Sequence, residues 1–133
     1  MTLDTSGILA ALNRRDPDYQ RTRSVLLGDP GPYLLPEGIL AEVAYMVERD
    51  LGSQVLDGFL REVQEGGYTL TSSQPDIPRI RVLAARYASL PLGFADAAVV
   101  ACAERHGGRV LTLDMRHFSV VANDARLSLV PGW

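Results

Sequence analysis

Short apolar runs, several of them ending in or beside an acid and separated by one or two helical patterns, constrain this chain more than any other feature. TLD (2–4), YLLP (33–36), YTLT (68–71) and RVLTLD (109–114) read as strands, and SLV (128–130) as an edge strand. The stretches between them are too long for hairpins. Strands joined through helices run parallel, and a parallel sheet is covered on both faces. The expected fold is therefore α/β, a three-layer sandwich with a central parallel sheet flanked by helices.

The helical patterns are SGILAALNRR, then DPDYQRTRSVLLG with Pro17 in its first turn, then PEGILAEVAYMVERDLG. SQVLDGFLREVQEGG follows, with Val55, Leu56, Phe59, Leu60 and Val63 on one face. QPDIPRIRVLAARYAS and FADAAVVACAERHGG are two more, the latter stopped by a glycine pair, and MRHF is a short helical turn. The 133 residues suit one domain, 1–133, and no repeat or linker divides them. A hydrophobic share of 47% and a charged share of 22% are those of a soluble protein. Asp4 stands where a signal peptide carries positive charge, so a cytoplasmic location is expected. Cys102 is the only cysteine and lies in an apolar helical run, where a buried structural thiol is expected.

The net charge of −3 argues against a general nucleic-acid binder, but the acidity is local. All 13 basic residues are arginines. Setting aside four of the 16 acids leaves 12 acids against 13 arginines, a balance of +1. The absence of lysine removes Schiff-base chemistry and a phosphate-loop lysine.

Those four acids are Asp4, Glu42, Asp96 and Asp114. Each has an ordinary structural reading. "DTSG" is good turn chemistry, with Thr5 or Ser6 as a helix cap. Glu42, flanked by Ala41 and Val43, shares a helical face with Ile39 and Met46 and could send its head to solvent. Asp96 and Asp114 could cap the helices that follow them. As a set they say more. Ligands in a parallel sheet bind beyond the carboxyl ends of the strands, and Asp4 and Asp114 each end a strand. Four carboxylates in one crevice repel unless a cation neutralises them, and Mg²⁺ or Mn²⁺ takes oxygen ligands. Such ions serve phosphodiester cleavage. Thr112, one pleat before Asp114, could orient a metal-bound water. His106 suits a helix C-terminus, and His117 has no metal-ligand spacing to His106 or Cys102. Arg79, Arg81 and Arg86 decorate a solvated helix face.

"LDTSGILAAL", "ILAEVAYMVER", "LPLGFADAAVVACAERHG" and "VLTLDMRHFSVV" resemble, in order, the successive motifs of PIN-domain ribonucleases, in particular the VapC toxins. The resemblance runs from residue 2 to about 121. It implies a metal-dependent endoribonuclease with an acid quartet at Asp4, Glu42, Asp96 and Asp114, supporting hydroxyls at Thr5 or Ser6 and Thr112, and Mg²⁺ or Mn²⁺. It also implies an RNA substrate, a homodimer and a small VapB-like antitoxin as partner. The chain departs from many relatives in reading YASLPLG, without an acid, before the Asp96 motif. It also has Met115, Arg116 and His117 after Asp114, with no fifth acid. Two other readings stay open: phosphoryl transfer with Asp4 as nucleophile, and a non-catalytic module whose acids hold a structural ion. The helices at 38–50 and 53–65 carry apolar residues suited to a groove for an antitoxin segment, with Phe59 as the expected contact.

Overall fold

The computed structural model describes residues 1–90 and 92–132; Pro91, within the LPLGFADA stretch, and Trp133 lie outside the described residues. The strands are β1 (Thr2–Leu3), β2 (Leu34–Pro36), β3 (Thr69–Thr71), β4 (Arg109–Thr112) and β5 (Ser128–Pro131). All pair in parallel, in the order β3-β2-β1-β4-β5. The helices are α1 (Thr5–Leu12), α2 (Tyr19–Gly28), α3 (Glu37–Leu51), α4 (Ser53–Glu65), α5 (Ile77–Arg86), α6 (Phe94–Arg105) and α7 (Met115–Ala125), with a 3₁₀ turn at Gln74–Asp76. The expected α/β sandwich is the observed one.

The two faces of the sheet can be told apart by contact. Thr2 turns its hydroxyl to within 3.6 Å of the Cys102 sulfur on α6. Its neighbour on the strand, Leu3, must face the other side. Leu3 is in register with Leu111, and Leu111 meets α1 at Gly7. A Cβ on Gly7 would stand 2.7 Å from both the Leu111 Cγ and its carbonyl oxygen. Only glycine lets α1 lie this close to β4. In the helix α6, Ala97 to Ala103 are all buried. The short side chains of AAVVACA let it lie flat against β1, β4 and β2, while Ile39, Val43 and Val47 of α3 complete the interior.

Several sequence expectations shift. Pro17 lies in a turn before α2, which begins at Tyr19. Strands β1 and β4 are shorter than read, so Asp4 follows β1 directly and Asp114 lies two residues past β4. MRHF is the first turn of a full helix of 11 residues, held by buried Phe118 and Val121. Those two are three residues apart and fix one apolar stripe, whereas MRHF alone shows only the first of them. Phe59 is 1% exposed and packs on Tyr68 at 5.4 Å, so it belongs to the core and not to a docking groove. Cys102 is buried as expected, and burial pushes its thiol pKa up. Among the described residues no helix is long and apolar enough to cross a membrane.

Candidate active site

Strand order creates the site. Chain connections leave β1 towards β2 and β3, while β4 and β5 lie on the other side. The reversal between β1 and β4 opens a crevice beyond their carboxyl ends, the usual ligand position in such sheets. Asp4 leaves β1 there, and its backbone N–H donates to the Leu111 carbonyl at 3.0 Å. Asp114 follows β4, Asp96 arrives on the first turn of α6, and Glu42 on α3. All four acids line one cavity of about 200 Å³, together with Thr5, Ser6, Leu9 and Met46.

Asp4 is the most enclosed of the four, at 5% exposed. Its Oδ2 accepts the Ser6 hydroxyl at 2.9 Å and the Thr112 hydroxyl at 2.8 Å. Each hydroxyl in turn accepts a backbone N–H: Ser6 from Leu113 at 2.9 Å, Thr112 from Asp114 at 3.0 Å. This chain of donors fixes the carboxylate and ties β1, α1 and the segment after β4 together. Burial raises the Asp4 pKa, although the hydrogen bonds from Thr112 and Ser6 oppose it. Thr112 is fully buried with its hydroxyl committed to these partners, so it holds Asp4 and does not present itself to a water. Neither Thr5 nor Ser6 caps α1; Asp4 occupies the cap position, without a side-chain cap bond. Thr5 instead donates to Glu42 Oε2 at 2.7 Å. Glu42 itself is exposed, at the rim of the cavity.

Asp96 does not cap α6. Gly93 holds that position, and Asp96 is the third residue of the helix. Its side chain is 22% exposed, and its pKa is raised to about 6. Burial is the main cause, with the charges of Asp4, Asp114 and Glu42 adding to it. Asp114 does cap α7, accepting the His117 N–H at 3.4 Å. His117, which had no spacing signal, enters the site through that turn. Its Nδ1 stands 2.9 Å from Asp114 Oδ2 and 3.7 Å from Asp96 Oδ2. The approach is angled, and among the described residues this buried nitrogen has no aligned hydrogen-bond partner. Position 117 faces Asp114 because α7 begins at 115, where the MRHF turn read from the sequence also begins. His106 lies elsewhere, donating to the Cys102 carbonyl at 2.8 Å.

The donor set suits a hard divalent cation: carboxylate oxygens from four elements, mutual repulsion, and an orphaned ring nitrogen at their edge. Among the described residues no three His, Cys, Asp or Glu side chains stand close enough together to hold a metal ion as they are placed. An open arrangement of this kind fits an ion that keeps several of its waters, as Mg²⁺ does. Asp4 is poorly placed as a nucleophile, being enclosed and bonded at Oδ2 by two hydroxyls.

Comparison with known proteins gives the family and the fold. The PIN domain family matches residues 1–124. Ribonuclease VapC26 of Mycobacterium tuberculosis (strain ATCC 25618 / H37Rv) is 29% identical over 135 residues, covering 98% of this chain and 100% of that protein. Among solved structures, Mycobacterium tuberculosis VapC20, a Sarcin-Ricin loop cleaving toxin, superposes with a TM-score of 0.80 at 17% identity over 90% of this chain and 93% of that one. VapBC2 from Rickettsia felis, bound to a DNA fragment from their promoter, gives 0.72 at 18% identity over 99% and 97%. FitAcB from Neisseria gonorrhoeae gives 0.65 at 18% over 96% and 94%. At these identities the structural likenesses carry the fold.

Proposed function

The chain belongs to the PIN-domain family, and from that premise we propose that it is a divalent-metal-dependent endoribonuclease, a single nuclease domain over 1–133 acting as the toxin of a toxin–antitoxin pair in the cytoplasm. The observation that carries the reading is the meeting of four acids on one cavity at the β1–β4 crevice, where burial, with the charges of the other acids adding to it, lifts the Asp96 pKa to about 6. Asp4, Asp96 and Asp114 would hold Mg²⁺ or Mn²⁺, with Glu42 completing the set or positioning a water. An ion bound there would offset phosphate charge and ease deprotonation of a water. Ser6 and Thr112 keep Asp4 in place, Thr5 restrains Glu42, and the His117 backbone N–H holds Asp114. Likeness to VapC26, VapC20 and VapBC2 supports an RNA substrate and a small VapB-like antitoxin, and a homodimer accompanies this reading.

RNA incubated with the purified protein should be cut internally when Mg²⁺ or Mn²⁺ is present and left intact in chelator. Asp96→Asn should not cut it. Binding of RNA without cleavage under any divalent ion would leave the non-catalytic module as the better reading. For the antitoxin, the outer face of α3 and α4 offers exposed Tyr45 and Leu60. Leu60→Asp tests this face without disturbing the core residue Phe59. The variant should fold normally and bind antitoxin more weakly, and unchanged binding would place that groove elsewhere.

A further inference from the structure

Beside the acid cavity lies a second opening of about 380 Å³, lined by Arg21, Leu113, Asp114, Met115, Arg116 and Gly132. Asp114 is a wall of both. Three segments distant in sequence build this trough: α2 brings Arg21, the first turn of α7 brings Arg116, and the end of β5 brings Gly132. Arg21 is fastened across it, donating to the Gly132 carbonyl at 3.3 Å and lying 3.2 Å from Asp18. Arg116 is exposed, and among the described residues no carboxylate stands within ion-pair distance of it.

A strand entering the acid cavity brings phosphates towards four carboxylates, and the chain as a whole is net negative. Coulomb repulsion at such range opposes binding unless a cation lies close by. The trough supplies Arg116, without a carboxylate partner among the described residues, and Arg21, which Asp18 already faces, next to the acids. A guanidinium grips a phosphate with two parallel hydrogen bonds, which suits a chain without lysine. Leu113 and Met115 add an apolar wall of the kind a sugar or base edge can cover.

We propose that the Arg21–Arg116 trough binds an RNA backbone phosphate next to the one cleaved, and so sets the register of the strand over the acids. The proposal rests on the ribonuclease reading above. Arg116 makes the main contact, and Arg21 holds the far wall.

Cleavage of a single-stranded RNA would be followed in Mg²⁺ for wild type, Arg116→Ala, the Arg21→Ala/Arg116→Ala pair and Arg81→Ala, which removes the same charge from the exposed face of α5. The double variant should raise KM by about tenfold and leave kcat within about twofold, because a phosphate contact outside the reacting atoms binds ground and transition state alike. Its plot of log KM against log salt should be shallower by about 1 to 2. Arg81→Ala should match wild type. An unchanged KM and salt slope in a double variant that melts like wild type would overturn the proposal, as would an equal effect from Arg81→Ala. A parallel arm separates the two readings. Fluorescein-labelled RNA would be titrated into Asp96→Asn protein with and without the two arginines, and read by anisotropy. If wild type cuts no RNA, the ribonuclease reading fails. Loss of this binding with the arginines would still support the trough, and equal binding would still sink it.

Discussion

Asp29 and Asp76 are about as enclosed as Asp4, yet they are treated in the opposite way. Asp29, at the end of α2, is 4% exposed at its side chain and holds Arg109 at the start of β4. Asp76 is 3% exposed and takes two hydrogen bonds from Arg105, at 2.5 and 3.2 Å. Asp4 has two neutral hydroxyls, and Asp96 has other acids and one angled histidine. A buried carboxylate is costly unless paired. The fold thus pairs arginine with buried acids that only support it, and keeps arginine off the acids of the crevice. Charge left uncompensated in one place and compensated in two others marks the crevice as the place for a cation.

The largest test of this contrast is activity. Asp4→Asn, Asp96→Asn and Asp114→Asn should each lower RNA cleavage by about a hundredfold or more, because a charged metal ligand is lost with little change in volume. Asp76→Asn and Asp29→Asn should keep cleavage near wild type once folded. A fully active Asp96→Asn protein would end the contrast, and with it the metal-nuclease reading.

Next in size are effects on stability. Gly7→Ala should cost about 1 to 3 kcal/mol in chemical denaturation, since its Cβ would press on the Leu111 backbone. Because α1 carries Thr5 and Ser6, the same change should reduce cleavage as well. Asp76→Ala should cost about 1 to 3 kcal/mol, from the lost bonds to Arg105. If Asp76→Ala cost nothing while Asp96→Ala unfolded the protein, the assignment of structural and functional acids would be reversed.

A subtler effect concerns pH. The folded-state pKa of Asp96, about 6, lies above its ordinary value of 3.8. Its contribution therefore favours folding fully below pH 3.8 and is lost as pH rises through about 6. In chelator, wild type should lose about 1 to 3 kcal/mol relative to Asp96→Asn between these limits. At pH 7 without metal, Asp96→Asn should melt above wild type. Excess Mg²⁺ should stabilise wild type more than the variant, by binding only the folded form. Asp96 makes no cap bond in α6, so a variant melting below wild type would have to be charged to the carboxylate's contact with the helix terminus.

The smallest expected change is at Asp124. It accepts the Tyr87 hydroxyl at 2.6 Å and lies 3.4 Å from Arg86. Asp124→Asn can keep a hydrogen bond to Tyr87, so it should cost under about 1 kcal/mol and leave cleavage unchanged. A clear loss of cleavage would extend the functional region to α7's outer end.

Much of the site was legible before any fold was seen. Short apolar runs and period-3.6 apolar patterns gave strands and helices in order, and parallel strands can place their following residues only at one edge. That logic reached Asp4 and Asp114 from their positions alone. For Glu42 it left two readings open, a head in solvent or a member of the acid set. The flanking side chains of a helix point elsewhere, and Glu42 sits exposed at a rim. It could not separate Asp96 and the hydroxyls of Thr5 and Ser6 from helix caps, since a cap is a local pattern that any acid or hydroxyl near a helix start imitates, and none of the three caps its helix.

By itself the sequence determined the parallel α/β class, the succession of elements and the edge on which acids following strands must lie. These are set by local periodicity and by the direction of the chain. The tertiary structure alone decided that β1 lies beside β4, and with that the crevice itself. It alone decided that Asp29 and Asp76 find Arg109 and Arg105, that His117 turns onto Asp114, and that Arg21 and Arg116 share one trough. Every one of these except the His117 contact joins positions far apart in the chain, and even that contact depends on where α7 begins. Such pairings follow from strand order and from how closely helices can approach the sheet, and no pattern along the chain records either.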